Sequence, residues 1–247
     1  MASVTFTDTD VNGGGSDTFN FTSTIGAGDG TRTIFAAVTA RTNNTTALTI
    51  TSMTIGGTAA TEVVQHSISP DNSSVAGLFK ISAAIMVDPN ATSVTVHVVY
   101  STTVNRGTSC SVAVTTDAIN ASAFDTATGD DPANGVATLT VGLNLDVPQN
   151  GFVIGLVSYY AEAGATAWTG LTEDYDAESS GGLSQYTAAS LSNASAETNR
   201  TITAVHSGTT DHGTASGVAA SFSPTVTAIA GDGLTAGLKL QRARLEA

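Results

Sequence analysis

Four histidines, one cysteine and a few clusters of carboxylates are the residues of this chain that could do chemistry. Their spacing points away from an active centre. His206 and His212 flank Ser207-Gly208-Thr209-Thr210-Asp211, a predicted loop that would bring two imidazoles and a carboxylate together, but the spacing matches no zinc pattern. His97 falls on the polar side of an alternating strand, and His66 stands alone. Cys110 sits inside the strand pattern Ser109-Cys110-Ser111-Val112-Ala113-Val114, which predicts a buried, inert thiol with no partner for a disulfide. The chain has no nucleophile elbow of the G-x-S-x-G type. Gly26-Ala27-Gly28-Asp29-Gly30 has the glycines of a phosphate loop without its lysine or following helix, and it reads as a hairpin turn.

The carboxylates invite two further readings. Glu173-Asp174-Tyr175-Asp176-Ala177-Glu178 follows shortly after Trp168, the single tryptophan, and Tyr159 and Tyr160 precede it. Aromatic faces beside carboxylates suit a sugar, so Trp168, Tyr159, Tyr160 and Tyr175 are the candidate glycan-binding residues. The same composition also describes a polar loop anchored by one buried ring. Hydrolysis would need two carboxylates facing each other across a groove, and no catalytic residue is assigned. Asp125 with Asp130 and Asp131, Asp8 with Asp10, and Glu173 with Asp174 and Asp176 could offer hard oxygen ligands to Ca²⁺. None has EF-hand spacing, and no cofactor is expected.

The elements that must carry these residues are strands. Helix signals are nearly absent, and period-2 alternation recurs between Gly, Asn and Asp-rich turns. Val94, Val96, Val98 and Tyr100 share one face, with Ser93, Thr95 and His97 on the other. Residues 32–40 and 152–160 are apolar on both faces and predict central strands. The alternation slips after Ile50, predicting a bulge near Ser52. Residues 120–134 read as the main interruption, and 162–182 as a long polar loop. Strands are also predicted at 186–191, 201–205, 218–222 and 226–229. With 41% hydrophobic and only 6% aromatic residues, the core should be thin and built from small side chains. This predicts an all-β, antiparallel β-sandwich of jelly-roll type spanning residues 1–236 as one domain. Two small sandwiches divided near Asn120 are the alternative.

A net charge of −13 disfavours nucleic acid and anionic membranes as partners. No stretch is long and apolar enough for a membrane helix, and no secretory signal is visible at Met1-Ala2-Ser3-Val4. Positive charge gathers instead in 237–247, where Lys239, Arg242 and Arg244 form a basic arm that could dock on a partner subunit or remain a solvated tail.

Five segments carry a family resemblance. They are Thr49-Ile50-Thr51-Ser52-Met53-Thr54-Ile55-Gly56-Gly57-Thr58-Ala59-Ala60-Thr61, Asp88-Pro89-Asn90-Ala91-Thr92, Val94-Thr95-Val96, Gly151-Phe152-Val153-Ile154-Gly155 and Gly217-Val218-Ala219-Ala220-Ser221-Phe222. In this order, across Val4 to Pro224, they resemble the Thr-rich β-sandwich modules of virion surface proteins in tailed bacteriophages and gene-transfer-agent-like particles. Any Gly/Thr-rich sandwich shares the individual pieces, and the basic arm has no counterpart in them. The resemblance implies a non-enzymatic structural subunit on the virion surface: a capsid decoration, head-fibre, collar or tail-surface protein. Its implied partners are other virion proteins and copies of itself, with a trimer favoured. Carbohydrate binding to host-surface glycans is the alternative expectation.

Overall fold

The computed structural model describes residues 2–225 apart from 29, 70–72, 116, 134, 161–163 and 180–183. The predicted strand at 226–229 and the arm at 237–247 lie outside the described residues.

Nine strands fill the first half: β1 (Thr5–Asn12), β2 (Ser16–Thr24), β3 (Thr33–Arg41), β4 (Ile50–Ile55), β5 (Thr58–Ala59), β6 (Thr61–Ile68), β7 (Ser74–Ser82), β8 (Ser93–Val104) and β9 (Gly107–Thr115). A single 3-10 turn, Ala83–Ile85, follows β7. Ten more strands fill the second half: β10 (Asp125–Asp131), β11 (Val136–Gly142), β12 (Leu145–Val147), β13 (Gly151–Tyr159), β14 (Ala165–Thr169), β15 (Thr172–Glu178), β16 (Gln185–Ala194), β17 (Glu197–Arg200), β18 (Thr203–His212) and β19 (Ala215–Phe222).

The two halves repeat one plan. Each has a five-stranded inner sheet, ordered β1-β9-β3-β7-β6 in the first and β10-β19-β13-β16-β15 in the second. Each has an outer layer, β2-β8-β4-β5 in the first and β11-β18-β14 with the β12-β17 pair in the second. Every strand pair is antiparallel. The sheets form two sandwiches, joined by residues 117–124 and stacked through their inner sheets, with the division falling near Asn120 as in the alternative that the sequence leaves open.

Hydrophobic side chains dictate this stacking. Along β3, Ile34, Ala36, Val38 and Ala40 enter the core shared with the first outer sheet, while Phe35 and Ala37 point the other way. Along β13, Val153, Val157 and Tyr159 enter the second core, and Phe152, Ile154 and Leu156 turn toward the first half. A strand buried on both faces cannot alternate apolar with polar, so β3 and β13 read as continuous apolar runs. Between the inner sheets, Phe35, Phe152 and Phe222 interlock. Phe35 meets Phe152 edge-on at 5.7 Å and Phe222 at 5.0 Å, and Phe152 stacks on Phe222 at 5.1 Å.

Other sequence expectations change. Residues 120–134 contain strand β10, polar because it is an inner-sheet edge rather than an interruption. The predicted loop 162–182 holds β14 and β15. Ser207–Asp211 lies within β18 and is no loop. Residues 25–32 cross from the outer to the inner sheet instead of closing a hairpin. The expected bulge is present, since the pairing of β4 with β8 shifts between Ile50 and Ser52.

Candidate functional site

Lysine on a strand buried on both faces needs an escape for its charge. Lys80, on β7, belongs to the face that carries Ala76 and Leu78 into the layer between the halves. It stands opposite Phe35 at one end of that layer. Its ammonium donates to the backbone carbonyls of Ala121 and Asn120, in the segment joining the halves, and lies 5.2 Å over the Phe222 ring. Only 9% of the residue is exposed, and burial lowers its pKa.

Above Lys80 lies a groove of about 430 Å³, lined by Thr31, Thr61, Ile81, Ile85 and Ile119. A smaller hollow of about 210 Å³ continues past Lys80 along Thr61, Glu62 and Val63 of the edge strand β6. Ile85 stands 63% exposed on the wall. Hydroxyl, methyl and backbone groups dominate this groove, a surface suited to holding a peptide segment.

A second buried cation caps the opposite end of the layer. Arg41, the last residue of β3, lays its guanidinium 3.3 Å from the centre of the Tyr160 ring. It also donates to Ser184 Oγ. Burial lowers its pKa to about 10. Arg32 is a third, clasping the carbonyls of Ile25, Gly26 and Ala91. The signal for Lys80 was legible: one cation inside an apolar strand, in a chain with two lysines. Sequence reasoning passed over it.

The glycan candidates are dispersed. Tyr159 is fully buried in the second core against the His206 ring. Tyr160 lies under Arg41. Trp168 packs against that core, its indole N–H donating to Thr187 Oγ1 at 2.8 Å. Tyr175 faces the other side of the inner sheet, edge-on to Phe6 at 5.9 Å. Lys239, Arg242 and Arg244 lie outside the described residues.

The acidic clusters serve the backbone. Asp8 accepts from the Thr24 amide, Asp131 from Thr140 and Asp125 from Asp146, at 2.7–2.8 Å. Each carboxylate thereby satisfies a donor on another strand. Asp176 accepts from the Thr166 amide and the Gln185 side chain. Asp130 meets His66 of the other half at 3.2 Å. Glu173 and Asp174 are pushed upward by desolvation. Among the described residues, no group of three or more His, Cys, Asp or Glu side chains is placed to hold one metal ion. Cys110 is buried, and burial pushes its thiol far up.

No protein-family model, curated protein or solved structure matches the chain. What the structure offers a functional reading is a double sandwich with three of its five described cations buried and a groove beside the segment that joins the halves.

Proposed function

We propose that this protein is a structural subunit on the surface of a bacteriophage particle, as a capsid decoration, head-fibre, collar or tail-surface protein, acting through protein–protein assembly. The observation that carries this reading is the fusion of two sandwiches of one strand order into a four-layer block whose surface is almost free of positive charge. Residues 1–225 hold five cations against nineteen carboxylates, and Arg32, Arg41 and Lys80 of those five are buried. Such a block suits a rigid, soluble exterior element that contacts partners through a few defined patches. The order β1-β9-β3-β7 facing β2-β8-β4-β5 supports a jelly-roll reading of each half. The partners are other virion proteins and further copies of the chain, three being the number that the sequence resemblance implies.

The test is composition of purified particles from the source of this gene. The protein should be found at a fixed ratio to the major capsid or tail protein and resist washing at moderate salt. Its absence from particles, with abundant free protein in the lysate, would overturn the reading.

A further inference from the structure

The groove over Lys80 lies where the described chain ends. The Thr225 amide donates to the Ala118 carbonyl at 2.8 Å, and Pro224 bridges Ile119. Ala118 and Ile119 are both groove residues. The described chain therefore ends at the groove's lip.

The composition of residues 226–247 complements the groove. They carry Leu234, Leu238, Leu240 and Leu245, with three cations against two carboxylates, beside a body of opposite charge. The groove offers Ile81, Ile85 and Ile119 to aliphatic side chains and Glu62 to a cation at its far end. Strand β6, which lines that end, pairs only with β7 and leaves one backbone edge without a strand partner in its sheet.

Distance along the chain limits which segment can reach a groove. Residues 226–232 could reach the groove of their own copy, but they carry no cation and only one carboxylate. The amphipathic stretch 238–245 begins thirteen residues beyond Thr225, roughly 40 Å of extended chain at about 3.3 Å per residue. That is the most the linker can span, and it is enough to reach the groove of a neighbouring copy.

We infer that residues 238–245 of one copy seat in the seam groove of a second copy, leucines against Ile81, Ile85 and Ile119 and a cation at Glu62. This rests on the assembly reading above and names its first partner as the chain itself. Such a contact uses two different patches, so it closes when two copies exchange arms or when successive copies complete a ring, and otherwise extends as a filament.

The full chain supplies the test, by mass measurement in solution across concentration. Self-association is expected for the wild type, with loss of the oligomer on deleting 226–247. Ile85→Asp should weaken it at least tenfold. Phe124→Asp, at an exposed ring lining a different groove, should leave it unchanged. Circular dichroism and the thermal midpoint of each variant verify folding. A monomeric wild type, an oligomer that survives the deletion, or one indifferent to Ile85→Asp would each overturn the inference. The particle-composition measurement stands apart from these outcomes, so the assembly reading can survive the failure of this one.

Discussion

Phe35→Ala probes the layer that joins the halves. The ring is fully buried and touches Phe152 and Phe222, both from the other half. Truncation removes the transfer free energy of the side chain and leaves a hole between two stiff sheets, a combination that costs about 3–5 kcal/mol. For a chain of this size, each kcal/mol moves the thermal midpoint by roughly 2–4 °C, so a fall of about 6–20 °C is expected. Calorimetry with far-UV circular dichroism is the assay. One transition is expected in wild type and variant alike, since neither inner sheet can expose its apolar face while the other stays folded. Combining Phe35→Ala with Phe222→Ala measures the contact itself, with a coupling of about 0.5–1.5 kcal/mol expected for the edge-on pair. A loss below about 1 kcal/mol, additive double-variant energies, or two resolved wild-type transitions would refute the claim that this layer makes the halves one unit.

Salt and alkali test the placement of charge. With nineteen carboxylates against five cations in residues 1–225, three of those cations buried, surface repulsion should relax as the screening length falls from about 30 Å at 0.01 M to about 3 Å at 1 M. The thermal midpoint should therefore climb with sodium or potassium chloride, and a flat or falling profile would contradict this. In alkali, burial raises Tyr100, Tyr159, Tyr175 and Tyr186 above the ordinary value. Above about pH 10 the unfolded chain loses phenol protons that the folded chain keeps, so stability falls with rising pH. Lys80 and Arg41, lowered by burial, act in the opposite sense but are fewer. Phenolate absorbance of these four rings should rise together with loss of circular dichroism, and their titration in a folded chain near pH 10 would count against their burial.

Strands buried on both faces were the legible part of this fold. β3 and β13 announce themselves as unbroken apolar runs because each lies between two cores. Edge strands were harder: β10 and β15 are rich in Asp and Glu because one side meets water, and polarity without a clean alternation reads as a loop. The duplication escaped notice for a related reason. Ala, Val, Thr and Ser exchange freely on a sheet without changing its order, so two halves can share a topology while pairing Thr33-Ile34-Phe35-Ala36-Ala37-Val38 in one with Gly151-Phe152-Val153-Ile154-Gly155-Leu156 in the other. The candidate site was less legible still. A lone Lys80 in an apolar strand shows that a charge must be accommodated, but the carbonyls of Asn120 and Ala121 come from the distant segment that joins the halves.

The placement of Lys80 and Arg41 connects the fold to assembly. Both project into the layer between the halves, at opposite ends of it, and the partners identified for them are carbonyls, a hydroxyl, an amide oxygen and aromatic faces. The carbonyls that hold Lys80 are neutral, so its ammonium keeps its positive field, whereas a carboxylate partner would cancel it locally. The halves are thus closed at one end by a cation, Lys80, whose field reaches the surrounding acidic surface and reduces its self-repulsion. At the Lys80 end the same charge lies under the groove, close to the aliphatic wall of Ile81 and Ile85. A cationic segment therefore approaches that wall best with its leucines inward and its own charges outward, one of them toward Glu62. This orientation follows from the positions of the charges alone, and it is the one that the Ile85→Asp variant disrupts first.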